Sequence, residues 1–194
     1  MSEPPPSAPA EPDSPDGPSE ISLQNPNRYA DVQLRQLRPW LRRAAAAVVA
    51  PLAPPRPRTL AVRFVSDREM RRLNHTFRAK DRPTDVLSFP GDRVDPAAAA
   101  AQPLPMAAID DFPRPDLDAG DAAHLGDIVI AVPTARRQAE AAGHAVEREL
   151  QQLMLHGLLH CVGFDHETDD GRMGRREQTL RATLIAGDEA VHRG

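Results

Sequence analysis

The sequence contains a single cysteine, Cys161, so the chain cannot form an internal disulfide bond. One isolated thiol is typical of proteins from a reducing compartment. No apolar run approaches the ~20 residues of a membrane-spanning helix, which excludes an integral helical membrane protein. The acidic, proline-rich N-terminus shows neither the basic nor the apolar region of a secretory signal. We therefore expect a cytoplasmic protein with no membrane partner.

Aromatic residues are also scarce, at 4% of 194 residues, but hydrophobic residues reach 40%, which is enough for one modest core. The formal net charge of -4 is unevenly distributed along the chain. Residues 1–20 carry five acids and no base, and residues 92–124 carry seven acids and two bases. The remainder has 22 basic and 16 acidic residues, a net charge of +6 that is compatible with nucleic-acid binding.

Two segments have the composition of flexible chain. Residues 1–20 contain seven prolines and few apolar side chains, so burial cannot offset the entropy lost on ordering. We predict that they form a disordered acidic tail. Residues 92–124 are rich in Ala, Pro and Asp without a stable period, which predicts a flexible acidic insertion. The remaining chain, residues 21–194, is predicted to form a single domain that this insertion interrupts.

The hydrophobic pattern predicts the element order β-α-β-α-β, then the insertion, then β-α-α-α. The clearest strand signals are residues 59–65 and 125–132, and a helix is predicted over residues 28–50, where Pro39 could kink or divide it. This order predicts an α+β fold, an α/β sandwich in which about five helices pack on a small mixed sheet of about four strands.

Three histidines at the end of a predicted helix, residues 145–162, have the spacing HxxxHxxxxxH. His156 and His160 share one helix face, and Gly163 can adopt a left-handed turn that returns His166 toward them. Three neutral imidazoles leave a fourth tetrahedral position for water, an arrangement typical of catalytic zinc. The alternative is a pair of core histidines with His166 unrelated to them.

The histidine spacing is similar to the metzincin protease signature HExxHxxGxxH, with Gly163 at the same place, and predicts a metzincin-like zinc helix. Gly157 stands where those proteases carry their general-base Glu, so the spacing does not favour peptide cleavage. Cys161 points about 100° around the helix from His160 and is predicted to be a small buried hydrophobe.

A second motif, LNHTFRAKDRPTDVLSFP, joins a predicted helix to a predicted strand. Arg78 offers a planar fork that suits phosphate, and Lys80, the only lysine beside 23 arginines, and Arg82 add two further cations. The alternative is a solvated basic loop. Asp85 and Ser88 could orient one of the histidines, or serve only as cap or turn residues.

These two motifs, together with LGDIVI at residues 125–130, resemble the bacterial YbeY family of rRNA maturation factors and single-strand-specific endoribonucleases. The similarity extends over about residues 21–186 without the insertion. It implies one zinc ion held by His156, His160 and His166, and an essential catalytic arginine at Arg78. It also implies a role in 16S rRNA 3′-end maturation and ribosome quality control, with the small ribosomal subunit and its proteins as partners.

The sequence thus predicts a metal-dependent endoribonuclease, a hydrolase of phosphodiester bonds, in which Lys80 and Arg82 follow the backbone of single-stranded RNA. Two alternatives remain open at this point. One is a metal-dependent peptidase or amide hydrolase with an unusual base. The other is a non-catalytic ribosome-assembly factor whose metal is structural. The predicted His₃ site also suits nickel, copper or cobalt.

Overall fold

The computed structural model of the protein describes residues 20–49, 58–91, 123–166 and 169–185. The predicted tail and the predicted insertion lie outside these ranges, except that Glu20 begins the first strand and residues 123 and 124 begin the last strand.

Within these ranges the chain forms four strands and five helices in the predicted order. The strands are β1 (Glu20–Gln24), β2 (Arg58–Val65), β3 (Val86–Pro90) and β4 (Ala123–Ala131). The helices are α1 (Leu34–Val49), α2 (Asp67–Arg78), α3 (Val132–Ala142), α4 (Val146–Cys161) and α5 (Arg172–Leu184). None of these helices combines the length and the apolar character that a membrane crossing requires.

The four strands form one mixed sheet in the order β1-β2-β4-β3. β1 and β4 both run parallel to β2, so that Val62 pairs with Leu23 on one side and with Ile128 on the other. β3 runs antiparallel to β4, with Phe89 opposite Asp127, and forms an edge of the sheet. The predicted mixed sheet is confirmed, and its β3 edge positions the candidate site.

Successive strand residues point to opposite faces of the sheet, and apolar residues occur on both faces, so helices cover both. Ile128 and Ile130 of β4 belong to the larger core, with buried side chains from α1, α4 and α5. Val129 joins Met70 and Leu73 of α2 in a smaller core on the other face. Each fully buried side chain of this size contributes roughly 1.5–3 kcal/mol to folding. The predicted α+β sandwich is therefore confirmed, with apolar side chains buried on both faces of one sheet.

The first helix is shorter than predicted, because it begins at Leu34 and not at Arg28. The Asn25 side chain both accepts a hydrogen bond from the Tyr29 backbone N–H and donates one to the Tyr29 carbonyl, each at 3.0 Å. These bonds hold the preceding residues in a turn, which competes with helix formation. Pro39 lies inside α1 without dividing it.

Candidate metal centre

Helix α4 carries two of the three predicted metal ligands on one face. Its second half is apolar and buried on nearly every side, whereas His156 and His160 are only half-buried. The centroids of their rings lie 4.7 Å apart, as expected for residues four apart on a helix. The helix predicted over residues 145–162 is thus confirmed, and its histidine face is accessible to solvent.

The turn after α4 brings the third histidine back to the first two. Gly163 has φ +95°, a conformation that a glycine adopts without strain, and its N–H donates to the His160 carbonyl at 3.0 Å. The His166 ring then lies 5.3 Å from that of His160 and 5.8 Å from that of His156, measured between centroids. One ligand atom from each of the three residues lies within 4.8 Å of the others.

The ring nitrogens of the two α4 histidines face each other at a spacing that a shared metal ion would give. The Nδ1–H group of His156 donates to Glu177 Oε2 at 3.4 Å, so that Nε2 of a neutral His156 carries only a lone pair. This atom lies 3.2 Å from Nε2 of His160. Two ligands of a tetrahedral zinc ion with Zn–N bonds of ~2.0–2.1 Å are about 3.3 Å apart. The donor set and its spacing therefore fit zinc.

The surroundings of His160 favour its neutral imidazole form. Burial lowers the pKa of His160, and the neighbouring His156 and His166 lower it further. A hydrogen bond with the backbone of Phe164 acts in the opposite direction but does not reverse the shift. A deprotonated imidazole is the form that binds a metal ion, so these surroundings prepare His160 as a ligand.

A carboxylate that the sequence interpretation missed completes the surroundings of the cluster. Glu177 of α5 accepts hydrogen bonds from His156 and, through Oε1, from Arg181 Nη2 at 2.7 Å. Burial raises the pKa of Glu177, but these two partners outweigh burial and the pKa is held below its usual value. In the sequence, the only local signal for this role was that Glu177 and Arg181 have opposite charges and lie four residues apart. That spacing does not indicate that α5 lies against α4.

The two polar residues considered as possible partners of the histidines lie elsewhere. Asp85 accepts a hydrogen bond from the Val86 N–H at 2.8 Å, the local turn role that the sequence left open, and a second from Gln138 Nε2 of α3 at 2.9 Å. Burial raises the pKa of Asp85, but the hydrogen bonds from Gln138, Val86 and Thr84 bring it below its usual value. Ser88 lies against α4 at Gly157, and among the described residues no hydrogen bond joins it to the histidines of the cluster.

Gly157, the glycine within α4, lies directly against the sheet. A Cβ atom built there would lie 2.8 Å from Ile128 Cγ2 and 2.9 Å from Ser88 Oγ, closer than real Cβ contacts. A Glu side chain in the place of the metzincin general base would therefore meet β3 and β4. The glycine that argues against peptidase activity in the sequence has a packing reason in the structure.

The Gly157→Ala protein is expected to lose about 1–2 kcal/mol of unfolding free energy. Overpacking costs roughly 1–3 kcal/mol, and the better helix propensity of alanine returns up to ~1 kcal/mol. Urea denaturation measures the change. Gly174→Ala is the matched control, since Gly174 is exposed on α5 with no atom within 4 Å of its added Cβ. The control should gain ~0.5–1 kcal/mol, and an equal gain for Gly157→Ala would contradict the close contact.

Cys161 is buried and takes no part in the cluster of possible metal ligands found among the described residues. A Cβ atom built on Gly126 of β4 would lie only 2.6 Å from Cys161 Sγ, so the thiol packs closely against this strand. Burial raises the pKa of the Cys161 thiol, and nearby Asp127 raises it further. A protonated buried thiol packs as a small hydrophobe, as the sequence predicts.

The predicted catalytic arginine lies on α2, which packs on the face of the sheet opposite to α4. Arg78 is the last residue of α2, and its side chain is exposed. The neighbouring Phe77 packs against Phe89 of β3, with ring centroids 5.0 Å apart. Ser88, the residue before Phe89, approaches Gly157 from the opposite face. The last turn of α2 therefore contacts β3 at Phe89, and the part of α4 around Gly157 contacts β3 at the adjacent Ser88.

The basic loop after α2 is held by a buried amide. Asn74, only 2% exposed, donates through side-chain Nδ2 to the Arg82 carbonyl at 2.7 Å, and its backbone carbonyl accepts from the Lys80 N–H at 3.3 Å. The side chains of Lys80 and Arg82 remain exposed. Asp81 between them forms two hydrogen bonds with Arg71, at 2.7 and 2.6 Å. The loop therefore has a fixed backbone and presents its cations to solvent.

The sequence is similar to a known protein family over most of its length. The family model described as Endoribonuclease YbeY matches residues 22–184. An Endoribonuclease YbeY from Halalkalibacterium halodurans is 40% identical over 111 residues, which cover 57% of this chain and 61% of that relative. One from Picosynechococcus is 39% identical over 138 residues, which cover 70% of this chain and 74% of that relative. The first alignment thus spans less than two thirds of the relative's length.

The fold is also similar to that of a solved structure. The solution structure of TM1509 from Thermotoga maritima matches with a TM-score of 0.54 and covers 88% of this chain and 92% of that chain. The identity between the two sequences is 22%, so this likeness supports the fold alone.

Proposed function

The chain belongs to the YbeY endoribonuclease family, and from this premise we propose that it is a zinc-dependent, single-strand-specific endoribonuclease. Its proposed role is 16S rRNA 3′-end maturation and ribosome quality control in the cytoplasm, with the small ribosomal subunit and its proteins as partners. The observation that carries the proposal is the convergence of three histidines, two of whose Nε2 atoms lie 3.2 Å apart.

In this proposal His156, His160 and His166 hold one zinc ion per chain. When bound, the ion would act as a Lewis acid toward a phosphoryl oxygen and would lower the pKa of a water molecule toward ~7. The residues of the chain fix its surroundings. The α4 histidines are half-buried, which strengthens electrostatic interactions in the site, while the exposed His166 leaves one side open to solvent and to substrate.

Arg78 is proposed to bind the phosphate that is cleaved. Its guanidinium carries a fork of N–H donors that matches two phosphate oxygens, and its fixed charge opposes the negative charge that develops in the transition state. Its place on α2, beside the β3 residues that α4 also contacts, is consistent with reaching a phosphate at the sheet edge. This role needs no proton transfer by Arg78.

Lys80 and Arg82 are proposed to follow the RNA backbone on either side of the cleaved phosphate. Both side chains are exposed on a loop whose backbone is fixed by Asn74, so they present charge without a cost for ordering the loop. Because aromatic residues are few, stacking on bases is limited and we expect weak sequence preference. Single-stranded RNA fits this arrangement because its phosphates are accessible along a flexible backbone.

The peptidase alternative is disfavoured by the contact at Gly157. No Glu fits at that position without displacing Ile128 or Ser88, so the helix cannot present the metzincin general base there. Of the carboxylates near the cluster, Glu177 binds the Nδ1 side of His156, away from the converging nitrogens, and Asp165 precedes the ligand His166.

Metal analysis of the purified protein, combined with cleavage assays, tests the proposed function. We expect about one zinc ion per chain, cleavage of labelled single-stranded RNA, loss of cleavage with a chelator and recovery when zinc is returned. Casein is expected to remain intact in the same preparations, and duplex RNA of the same sequence is the control for strand specificity. Chelator-sensitive cleavage of casein with intact RNA would support the peptidase, and RNA cleavage unaffected by metal removal would reject the metal mechanism.

A further inference from the structure

Glu177 lies behind His156, on the side of the imidazole ring that faces away from His160. Its Oε2 atom accepts the hydrogen bond from His156 Nδ1, while Nε2 of the same ring faces Nε2 of His160. The two ring nitrogens point in different directions, so a carboxylate at Nδ1 does not occupy the position where Nε2 meets a metal ion. Glu177 therefore contacts His156 but lies away from the point where the histidine nitrogens converge.

The carboxylate is itself held in place from two helices. Arg181, one turn further along α5, donates to Glu177 Oε1 at 2.7 Å through Nη2 and to Gln152 Oε1 of α4 at 2.9 Å through Nη1. The Glu177 side chain is only 14% exposed, so water competes little for its oxygens. The chain of contacts Gln152–Arg181–Glu177–His156 connects α5 to the ligand helix and fixes the direction of the carboxylate.

We propose that Glu177 is a positioning residue that holds His156 in the Nδ1–H tautomer and thereby presents Nε2 as a metal ligand. This inference rests on the proposed metal site. Without an acceptor at Nδ1, the proton can move to Nε2, where it blocks coordination, and the ring can rotate away from His160. Such outer partners of ligating histidines typically contribute 10–100-fold to metal affinity.

Two replacements of Glu177 separate this role from a purely structural one. Glu177→Met keeps the length of the side chain but removes the acceptor, and Glu177→Gln restores a neutral acceptor. Glu140→Gln is the charge-matched control, since Glu140 is exposed on α3. Zinc affinity is measured by competition with a chromophoric chelator, and the His156 tautomer by ¹⁵N NMR of the metal-free protein.

We expect Glu177→Met to bind zinc 10–100-fold more weakly and to populate the Nε2–H tautomer of His156, whereas Glu140→Gln matches the wild type. Glu177→Gln should recover part of the affinity, because a neutral acceptor holds the N–H less strongly than a carboxylate. Wild-type affinity and an unchanged tautomer in the Met variant would overturn the inference. Should that variant fail to fold, Glu177→Ala, which also lacks an acceptor, takes its place, and wild-type affinity with an unchanged tautomer there would overturn the inference.

Both readouts are taken without RNA, so they are independent of nuclease activity. A wild-type protein that binds zinc but cleaves no RNA would end the proposed function and leave the role of Glu177 intact. Tight zinc binding by Glu177→Met together with normal RNA cleavage by the wild type would reject the role of Glu177 and leave the proposed function intact.

Discussion

Replacing Arg78 with alanine is expected to slow cleavage of single-stranded RNA by roughly 10²–10³-fold, the usual effect of removing one donor that stabilises transition-state charge. Zinc content should remain that of the wild type, since α2 and the histidine helix lie on opposite faces of the sheet. Within the described ranges, the Arg78 guanidinium forms no ion pair that would hold it away from a phosphate. Single-turnover cleavage together with metal analysis measures both quantities.

Two further variants define what Arg78 contributes. Arg78→Lys keeps the charge but loses the planar fork, so we expect a partial loss of rate. Arg68→Ala is the matched control, because Arg68 is exposed in the first turn of the same helix, about 15 Å away along its axis. A wild-type rate in a metal-replete Arg78→Ala protein would remove Arg78 from the mechanism.

His160→Ala is expected to weaken zinc binding by about 10²–10³-fold, which is one ligand's share of the ~10–16 kcal/mol typical of zinc sites. RNA cleavage should fall to background. The metal-free variant should be at most about 0.5–1.5 kcal/mol less stable than metal-free wild type, because it loses the hydrogen bond between His160 and the Phe164 backbone. Saturating zinc at 1,000 times the wild-type dissociation constant should raise wild-type unfolding free energy by ~4.1 kcal/mol, and that gain should disappear.

Thermal and chemical unfolding with and without zinc measures this difference, with His75→Ala as the control for loss of an exposed imidazole on α2. The same variant separates catalysis from ribosome assembly. If His160→Ala protein without zinc restores rRNA processing in cells that lack the native protein, catalysis at the metal is unnecessary. The non-catalytic assembly factor would then be the better description.

The histidine cluster was predictable from the sequence because each step that builds it is local. A helical period places His156 and His160 on one face, and a glycine after the helix permits the reversal that returns His166. The order of strands and helices was predictable for the same reason, since alternating and helical hydrophobic patterns extend over a few residues. The early start predicted for α1 was wrong because the Asn25–Tyr29 hydrogen bonds were not apparent from the hydrophobic pattern.

The sequence by itself therefore determined the fold class, the order of the elements and which three histidines could converge. Only the tertiary structure decided that Glu177 of α5 lies behind His156, that Asp85 binds Gln138 of α3, and that Gly157 lies in the close contact between α4 and the sheet. The physical reason is distance along the chain. Helical and turn geometry act between near neighbours, whereas the contacts of Glu177 and Gly157 join residues 21 to 69 positions apart and depend on how whole elements pack.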